Sequence, residues 1–330
     1  MPGLFDPIEI DSLSLKNRIV MPPMETGKAT PEGDVTQEII DHYVKRARGG
    51  VGLIIIEHTF VMKNGQFSTR QLGLYEDRQI EGFKKLVNAI HEQDVPCILQ
   101  LNHAGSRTTT EVIGEQPVSA SDVPLPTGGE IPRPLSKEEI MSIINAFASA
   151  ARRAKEAGFD GVEIHGAHAF LLNQFASPLT NKRNDEYGID MAGRMRFPLE
   201  VIQAVRETVG RDYMLFYRLG ADDMIEGGNT IDDGVKMAKL IVNEGVKVVD
   251  VSGGLIGSRP PEMKPGEFVP QAARIKKAVD VPVIAVGKIT TGELADDIIR
   301  DGEADLVAIG RALLKDANWP KTVAAELGLE

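Results

Sequence analysis

His165 and His168 stand three residues apart in Val162-Glu163-Ile164-His165-Gly166-Ala167-His168, at the end of an apolar run. Two neutral imidazoles so placed can both donate to one oxygen, polarising a carbonyl so that a hydride can reach its conjugated carbon. No carboxylate is placed to complete a metal site with this pair, so no metal is expected; a purely structural pair stays open. Two further sites have chemical promise. Val286-Gly287-Lys288 and Ile309-Gly310-Arg311 each set a glycine beside a cation, a pattern that lets backbone N–H groups approach a phosphate while the cation offsets its charge. A plain turn would also use these glycines. Arg218, inside the apolar run Phe216-Tyr217-Arg218-Leu219, must find a carboxylate or an anionic ligand, because a lone buried guanidinium is very costly.

The elements that must position these residues are legible from hydrophobic patterning. Eight short apolar runs recur: Arg18–Met24, Val51–His58, Pro96–His103, Phe159–His165, Tyr213–Leu219, Val246–Ser252, Val281–Val286 and Asp305–Ile309. Most are nearly continuous hydrophobics, as parallel strands covered on both faces should be. Amphipathic stretches follow them, at Thr36–Arg48, Gln79–Gln93, Ser136–Ala157, Ala192–Val209, Thr230–Asn243, Pro270–Val279, Thr291–Arg300 and Leu313–Leu327. Ser136-Lys137-Glu138-Glu139 reads as a capping box, and Gly158, Gly210 and Gly245 as closing glycines. Eight strand–helix cycles without a linker predict an α/β fold, one (β/α)8 TIM barrel over residues 1–330. An open doubly wound sheet would want a glycine fingerprint at its first turn, and Glu25-Thr26-Gly27-Lys28 supplies none. Leu4–Leu15 reads as an N-terminal hairpin turning near Asp11-Ser12, and Gly105–Leu135 as a long loop or lid after strand three.

In such a barrel the chemistry sits at the C-terminal strand ends. The polar residues there are Glu25, His58, Gln100, Asn102, His103, His165, His168, Arg218, Ser252, Lys288 and Arg311, which take in four of the six histidines. Composition excludes other classes. A net charge of −11 argues against a nucleic-acid footprint. The single Cys97 is expected to make no internal disulfide, iron–sulfur cluster or zinc site, and reads as a small buried hydrophobe. Met1–Asp6 has no basic-then-apolar leader pattern, and no apolar stretch approaches the roughly 18–20 residues of a membrane helix. A cytoplasmic protein without membrane or nucleic-acid partners is expected, and a homo-oligomer stays open.

Together these residues resemble the Old Yellow Enzyme family of FMN-dependent NAD(P)H oxidoreductases, over nearly the whole chain. The resemblance rests on Leu4–Ile10, Leu15–Met24, Gln100-Leu101-Asn102-His103-Ala104-Gly105, Lys155–Asp160 with Glu163-Ile164-His165, and Asn173-Gln174-Phe175 through Asp185-Glu186-Tyr187-Gly188. It implies FMN as cofactor and NADH or NADPH as reductant. In the family the reduced flavin then passes hydride to the β-carbon of an activated alkene, an α,β-unsaturated carbonyl compound. By position, Pro22, Pro23, Met24 and Glu25 would line the flavin and His58 would approach it. Gln100 would meet the pyrimidine edge, with Arg218 near N1/O2 and Ser252 nearby. Gly287, Lys288, Gly310 and Arg311 would hold the phosphate, while His165 and His168 grip the substrate oxygen in a pocket with Phe170, Thr26 and Gly27.

Four departures from the family pattern stand out. Phe170 replaces the usual proton-donating tyrosine. Glu25 stands where Thr or Cys is usual, and is either an anion or a buried neutral donor. Gly27 replaces a substrate-contacting tyrosine of one subgroup, and the chain ends at Glu330 without that subgroup's longer tail. Met24-Glu25-Thr26-Gly27 is similar to the barrel of 2,4-dienoyl-CoA reductase, although one cysteine cannot hold that branch's cluster. A different flavin redox reaction (dehydrogenation, demethylation or partner-dependent electron transfer) and a non-redox phosphate-binding barrel lyase or isomerase remain alternatives.

Overall fold

The computed structural model describes residues 2–329. Eight parallel strands close a barrel: Ile19–Met21, Leu53–Phe60, Cys97–Asn102, Gly161–Gly166, Met214–Gly220, Val248–Ser252, Val283–Ala285 and Leu306–Ala308. Each pairs with the strand before and after it in sequence, and the last pairs with the first through Val307↔Ile19 and Ala308↔Val20. The expected (β/α)8 barrel is the observed one.

The strands carry two apolar faces because they separate two cores. Val20, Leu53, Ile55, Ile98, Phe216, Val248, Ile284 and Leu306 fill the barrel interior together with Ile10, Leu13 and Leu15 of the hairpin. The alternate residues pack outward against the helices, which is why the runs read as continuous hydrophobics. The hairpin, Ile8–Ile10 against Leu13–Leu15 and turning at Asp11 with φ +48°, closes the barrel floor.

Helix Lys137–Ala157 starts on the expected capping box: Ser136 Oγ accepts from Glu139 N–H at 3.2 Å, and the Glu139 carboxylate accepts from Ser136 N–H at 2.8 Å. It ends on Gly158 in the left-handed region. Gly210 differs, with φ +84° but ψ 165°, so it turns the chain without the left-handed cap. Three elements depart from the sequence expectation. The first strand stops at Met21 because Pro22 and Pro23 have no N–H to give the ladder. The expected helix Leu313–Leu327 is two, Arg311–Lys315 and Trp319–Glu326, interrupted at 316–318. An additional helix, Leu171–Ala176, follows strand four; it is buried on every side and so lacks the amphipathic period that would reveal it. The stretch 105–135 is loop-like, with one turn of helix at Thr110–Ile113 and a two-residue parallel pairing of Val118–Ser119 with Arg133–Pro134.

Candidate active site at the barrel mouth

The C-terminal strand ends open into one cleft with two connected halves that share Met24, Arg218, Ser258 and Arg259. One half is lined by Pro22, Ser252, Gly287, Lys288, Gly310 and Arg311. The other is lined by Pro23, Glu25, His58, Gln100, His165, His168 and Phe170. Of the residues expected at the site, Thr26, Gly27, Asn102 and His103 do not line it. Thr26 turns away, donating both N–H (2.8 Å) and Oγ1–H (2.7 Å) to the Glu57 carboxylate.

In the first half, Gly287 has φ +127°, and a Cβ there would lie 2.8 Å from the Phe268 nitrogen, so only glycine fits this turn. Gly310 backs onto Met24 and Pro22, where an added Cβ would come within 3.2 Å of the Met24 sulfur. Lys288 Nζ donates to the Met263 carbonyl at 2.8 Å, and Arg311 reaches the Met263 sulfur at 3.4 Å. Among the described residues neither cation has a carboxylate within ion-pair distance. A glycine cradle rimmed by two uncompensated cations suits a phosphate.

The barrel strands position the centre. Arg218 on strand five is almost fully buried; its Nε lies 3.5 Å from Asp250 Oδ2 on strand six, without a hydrogen bond. Both Asp250 oxygens, Arg218 Nε and Glu163 Oε2 are buried without partners. Gln100 donates to Glu163 Oε1 at 2.8 Å, leaving its own carbonyl oxygen toward the cleft as an acceptor. Burial first, then the facing Asp250 charge, push the Glu163 carboxyl well up against the pull of Arg218. Burial likewise raises Asp250, offset in part by Arg218. Burial thus disfavours the charged form of both carboxyls, and neither hydrogen-bonds the guanidinium. A cation with spare donors beside an amide acceptor suits the imide-like edge of an isoalloxazine, so the residues present fit FMN from ring to phosphate.

His165 belongs to strand four; His168 and Ala169 follow it in left-handed conformation, with φ +58° and +59°. Such a pair of non-glycine residues is strained and needs external support. Asn173 Oδ1 accepts from Ala169 N–H at 2.9 Å, Gln174 donates to the Ala169 carbonyl at 2.7 Å, and Arg107 donates to the His168 carbonyl. The two rings meet edge to face with centroids 5.0 Å apart. His165 Nδ1 is buried and unpartnered, while His168 Nε2 lies 2.7 Å from Ser252 Oγ. Burial, then neighbouring charges including Arg218 and Arg107, hold both imidazoles well below the usual histidine range, so both are neutral.

Strand two reaches the cleft through a bulge. Between Ile56↔Leu99 and Thr59↔Leu101, Glu57 and His58 together face Gln100 alone. Gln71 Oε1 accepts from Phe67 N–H at 2.7 Å, which fixes its amide so that Nε2 donates to His58 Nδ1 at 2.6 Å. The other ring nitrogen, Nε2, lies 3.7 Å from Glu25 Oε2. Partial burial alone would raise the Glu25 carboxyl. The close approach of His58, a hydrogen bond from Ser68 and the charge of Arg107 outweigh it and hold Glu25 below the usual range. Of the two sequence alternatives for Glu25, the anion is the one these contacts support.

His103 and Asn102 lie at a strand end yet not in the cleft. His103 accepts from Gly105 N–H at 3.1 Å and meets Asn64 at 3.2 Å, and burial holds it down to about 3. Sequence reasoning missed Arg107, Phe67, Arg259 and Glu57. Arg107 was visible only as the cation after Gly105-Ser106; it stacks over Phe170 at 4.8 Å and Phe67 at 5.5 Å. Glu57 sits inside the apolar run beside His58, and its partners Thr26 and Tyr43 lie far from it in sequence.

The family model for the NADH:flavin oxidoreductase / NADH oxidase family matches residues 3–330. The chain belongs to that family. It is 47% identical over 327 residues to an NADH oxidase of Thermoanaerobacter brockii, covering 97% of this chain and 50% of the relative. It is 42% identical over 328 residues to an NADPH dehydrogenase of Bacillus cytotoxicus, covering 99% and 93% respectively. The solved structure of an Old Yellow Enzyme homologue from Zymomonas mobilis superposes with a TM-score of 0.87 at 28% identity, covering 98% of this chain and 93% of that one. The chain thus spans about half the length of the first relative and nearly all of the second. The resemblance read from the ordered motifs is the family found, and no helix among the described residues is long and apolar enough to cross a membrane.

Proposed function

We propose that this NADH:flavin oxidoreductase family member binds one FMN across the two halves of the cleft. With NADH or NADPH as reductant it reduces an alkene conjugated to a carbonyl. The observation that carries the reading is the buried, neutral His165/His168 pair, opening onto a half-cleft whose other end is a glycine-and-cation cradle. FMN, when bound, supplies the hydride it has taken from the nicotinamide. Gly287, Lys288, Gly310 and Arg311 hold the phosphate. Gln100 and Arg218 address the pyrimidine edge, and the Arg218 cation favours negative charge there. His165 and His168 donate to the substrate oxygen where enolate charge develops. Arg107, Asn173 and Gln174 hold the strained turn that aims them. Phe170 carries no proton, so the α-carbon takes its proton from solvent or another group.

The test is an anaerobic half-reaction. The FMN-loaded protein is reduced with NADH or NADPH and mixed with 2-cyclohexenone; return of the oxidised flavin spectrum is expected. A flavin that reduces but never reoxidises with enones sinks the alkene reading, and a donor screen then addresses dehydrogenation in reverse. A protein that takes up no FMN sinks the flavin reading as well.

A further inference from the structure

At the opposite end of the barrel, three side chains from three elements converge outside the flavin site. His91 closes helix Ile80–His91, Cys97 opens strand three, and Asp160 directly precedes strand four. His91 Nε2 lies 2.8 Å from Asp160 Oδ2 and 3.8 Å from Cys97 Sγ, and one ligand atom from each residue falls within 4.8 Å of the others. Asp160 Oδ2 also accepts from Cys97 N–H at 2.7 Å. The thiol is fully buried, whereas His91 and Asp160 are 37% and 28% exposed, so the cluster has a dry back and a wet front.

A second rim aspartate shows what such a residue does in a purely structural role. Asp305 precedes strand eight, accepts from Val283 N–H at 2.9 Å and is completed by the Lys276 ammonium at 2.5 Å. Both aspartates join the start of one strand to its neighbour. They differ in what completes them. Around Asp305 the partner is a lysine, which binds no metal at neutral pH. Around Asp160 the partners are an imidazole and a thiol, and among the described residues no lysine or arginine lies within ion-pair distance of that carboxylate. The staple alone accounts for the aspartate, and the ion pair for the histidine. Neither accounts for a sulfur aimed at the imidazole.

We propose that His91, Cys97 and Asp160 form a three-ligand site for a borderline-soft divalent cation, Zn2+ in the first instance, with a fourth position open to water. A nitrogen–sulfur–oxygen set selects Zn2+ over Mg2+ or Ca2+, which prefer all-oxygen shells. Zinc bonds of about 2.0 Å to N and O and about 2.3 Å to S require the His91–Asp160 contact to open by only a few tenths of an ångström. On binding, the sulfur–zinc bond replaces the S–H bond and the thiol proton leaves to solvent. The imidazole proton moves to Nδ1, freeing Nε2 to ligate, and Asp160 ligates through Oδ2, the oxygen already facing His91, whose second lone pair keeps the Cys97 N–H. No redox change is involved. The site ties the end of the second helix to the starts of strands three and four, away from the mouth, so its role is structural or regulatory.

The test uses the FMN-loaded protein. Equilibrium dialysis against micromolar zinc sulfate, followed by elemental analysis, is expected to leave one zinc per chain. X-ray absorption at the zinc edge should show one sulfur scatterer at about 2.3 Å with nitrogen or oxygen at about 2.0 Å. Cys97→Ser should abolish the sulfur scatterer, and His91→Ala should weaken retention at least tenfold; magnesium should not compete. Loss of zinc on dialysis, a wild-type spectrum without sulfur, or equal retention by both variants would overturn the site. The wild-type spectrum decides the matter even if a variant folds poorly.

Discussion

The two ends of this barrel handle polar groups in opposite ways. At the floor nearly every one is paired: Asp160 and Asp305 staple neighbouring strands, Arg18 donates to the Asp305 carbonyl at 3.0 Å, and the hairpin seals the interior. Arg18 Nε is an unpartnered exception there. At the mouth, His165, Arg218, Asp250 and Glu163 all keep buried atoms without partners. Unpaired buried groups each cost on the order of 1–3 kcal/mol, so the mouth bears more of this cost than the floor. The difference teaches where ligand capacity lies: groups left unmatched by protein are those a flavin and a substrate oxygen can match.

The sharpest way to break this contrast is to remove a donor from the mouth. His165→Ala should lower kcat/KM for a cyclic enone by about 10²–10³-fold, the usual cost of losing a donor to a developing oxyanion. FMN content and thermal stability should change little, because the protein supplies Nδ1 with no partner to lose. Steady-state kinetics alongside flavin absorbance separates the two. An unchanged kcat/KM would remove His165 from the reaction.

Behind the cleft, Glu57 tests whether unmatched charge at the mouth appears as pH-dependent stability. It is fully buried, and burial pushes it to about 7 despite hydrogen bonds from Thr26 and Tyr43. A carboxyl raised in the folded state binds its proton more tightly there than in the unfolded chain. Its contribution is therefore complete below the unfolded value near 4.5 and is lost as pH rises through about 7. Denaturant melts of the wild type should lose on the order of 2–3 kcal/mol from this group between pH 5 and 8. Glu57→Gln should flatten that slope. An unaltered slope in the variant would assign the loss elsewhere.

At the floor the opposite pattern is expected. Asp305→Ala removes the acceptor of Val283 N–H and the partner of Lys276, and should cost about 1–3 kcal/mol in denaturant melts. The enone kcat of the folded, FMN-loaded variant should stay within about twofold. A large fall in kcat with intact stability would dissolve the distinction between the ends.

How much of this could be read beforehand follows from the same physics. The barrel was legible because strands buried on both faces leave unbroken apolar runs, and caps such as Ser136–Glu139 are local signals. The cleft residues at strand ends were legible because the fold sends them there whatever their partners. Thr26 was not, since its orientation depends on Glu57, distant in sequence and exposed to view only by the bulge in strand two. Arg107 was hidden for a related reason: its role depends on the course of a loop, and loops carry no period. Helix Leu171–Ala176 escaped because uniform burial erases amphipathic patterning.

The smallest effect is expected at Phe170, which the family resemblance sets where a proton-donating tyrosine is expected. Its ring is packed by His165 at 4.8 Å, His58 at 5.3 Å and Phe67 at 5.4 Å, with the Arg107 guanidinium at 4.8 Å. A phenol fits this cage with one added oxygen, directed at a cleft already rich in donors. If the α-carbon takes its proton from solvent, that transfer is not assisted at position 170, and Phe170→Tyr adds an acid the reaction does not require. Turnover of a cyclic enone should then change by no more than a few-fold, with a larger solvent isotope effect in the wild type than in the variant. A rise of a hundredfold or more would mean that proton delivery limits the wild-type enzyme with such enones. The mouth would then be matched to a substrate that needs no proton at that carbon, as in the dehydrogenating direction.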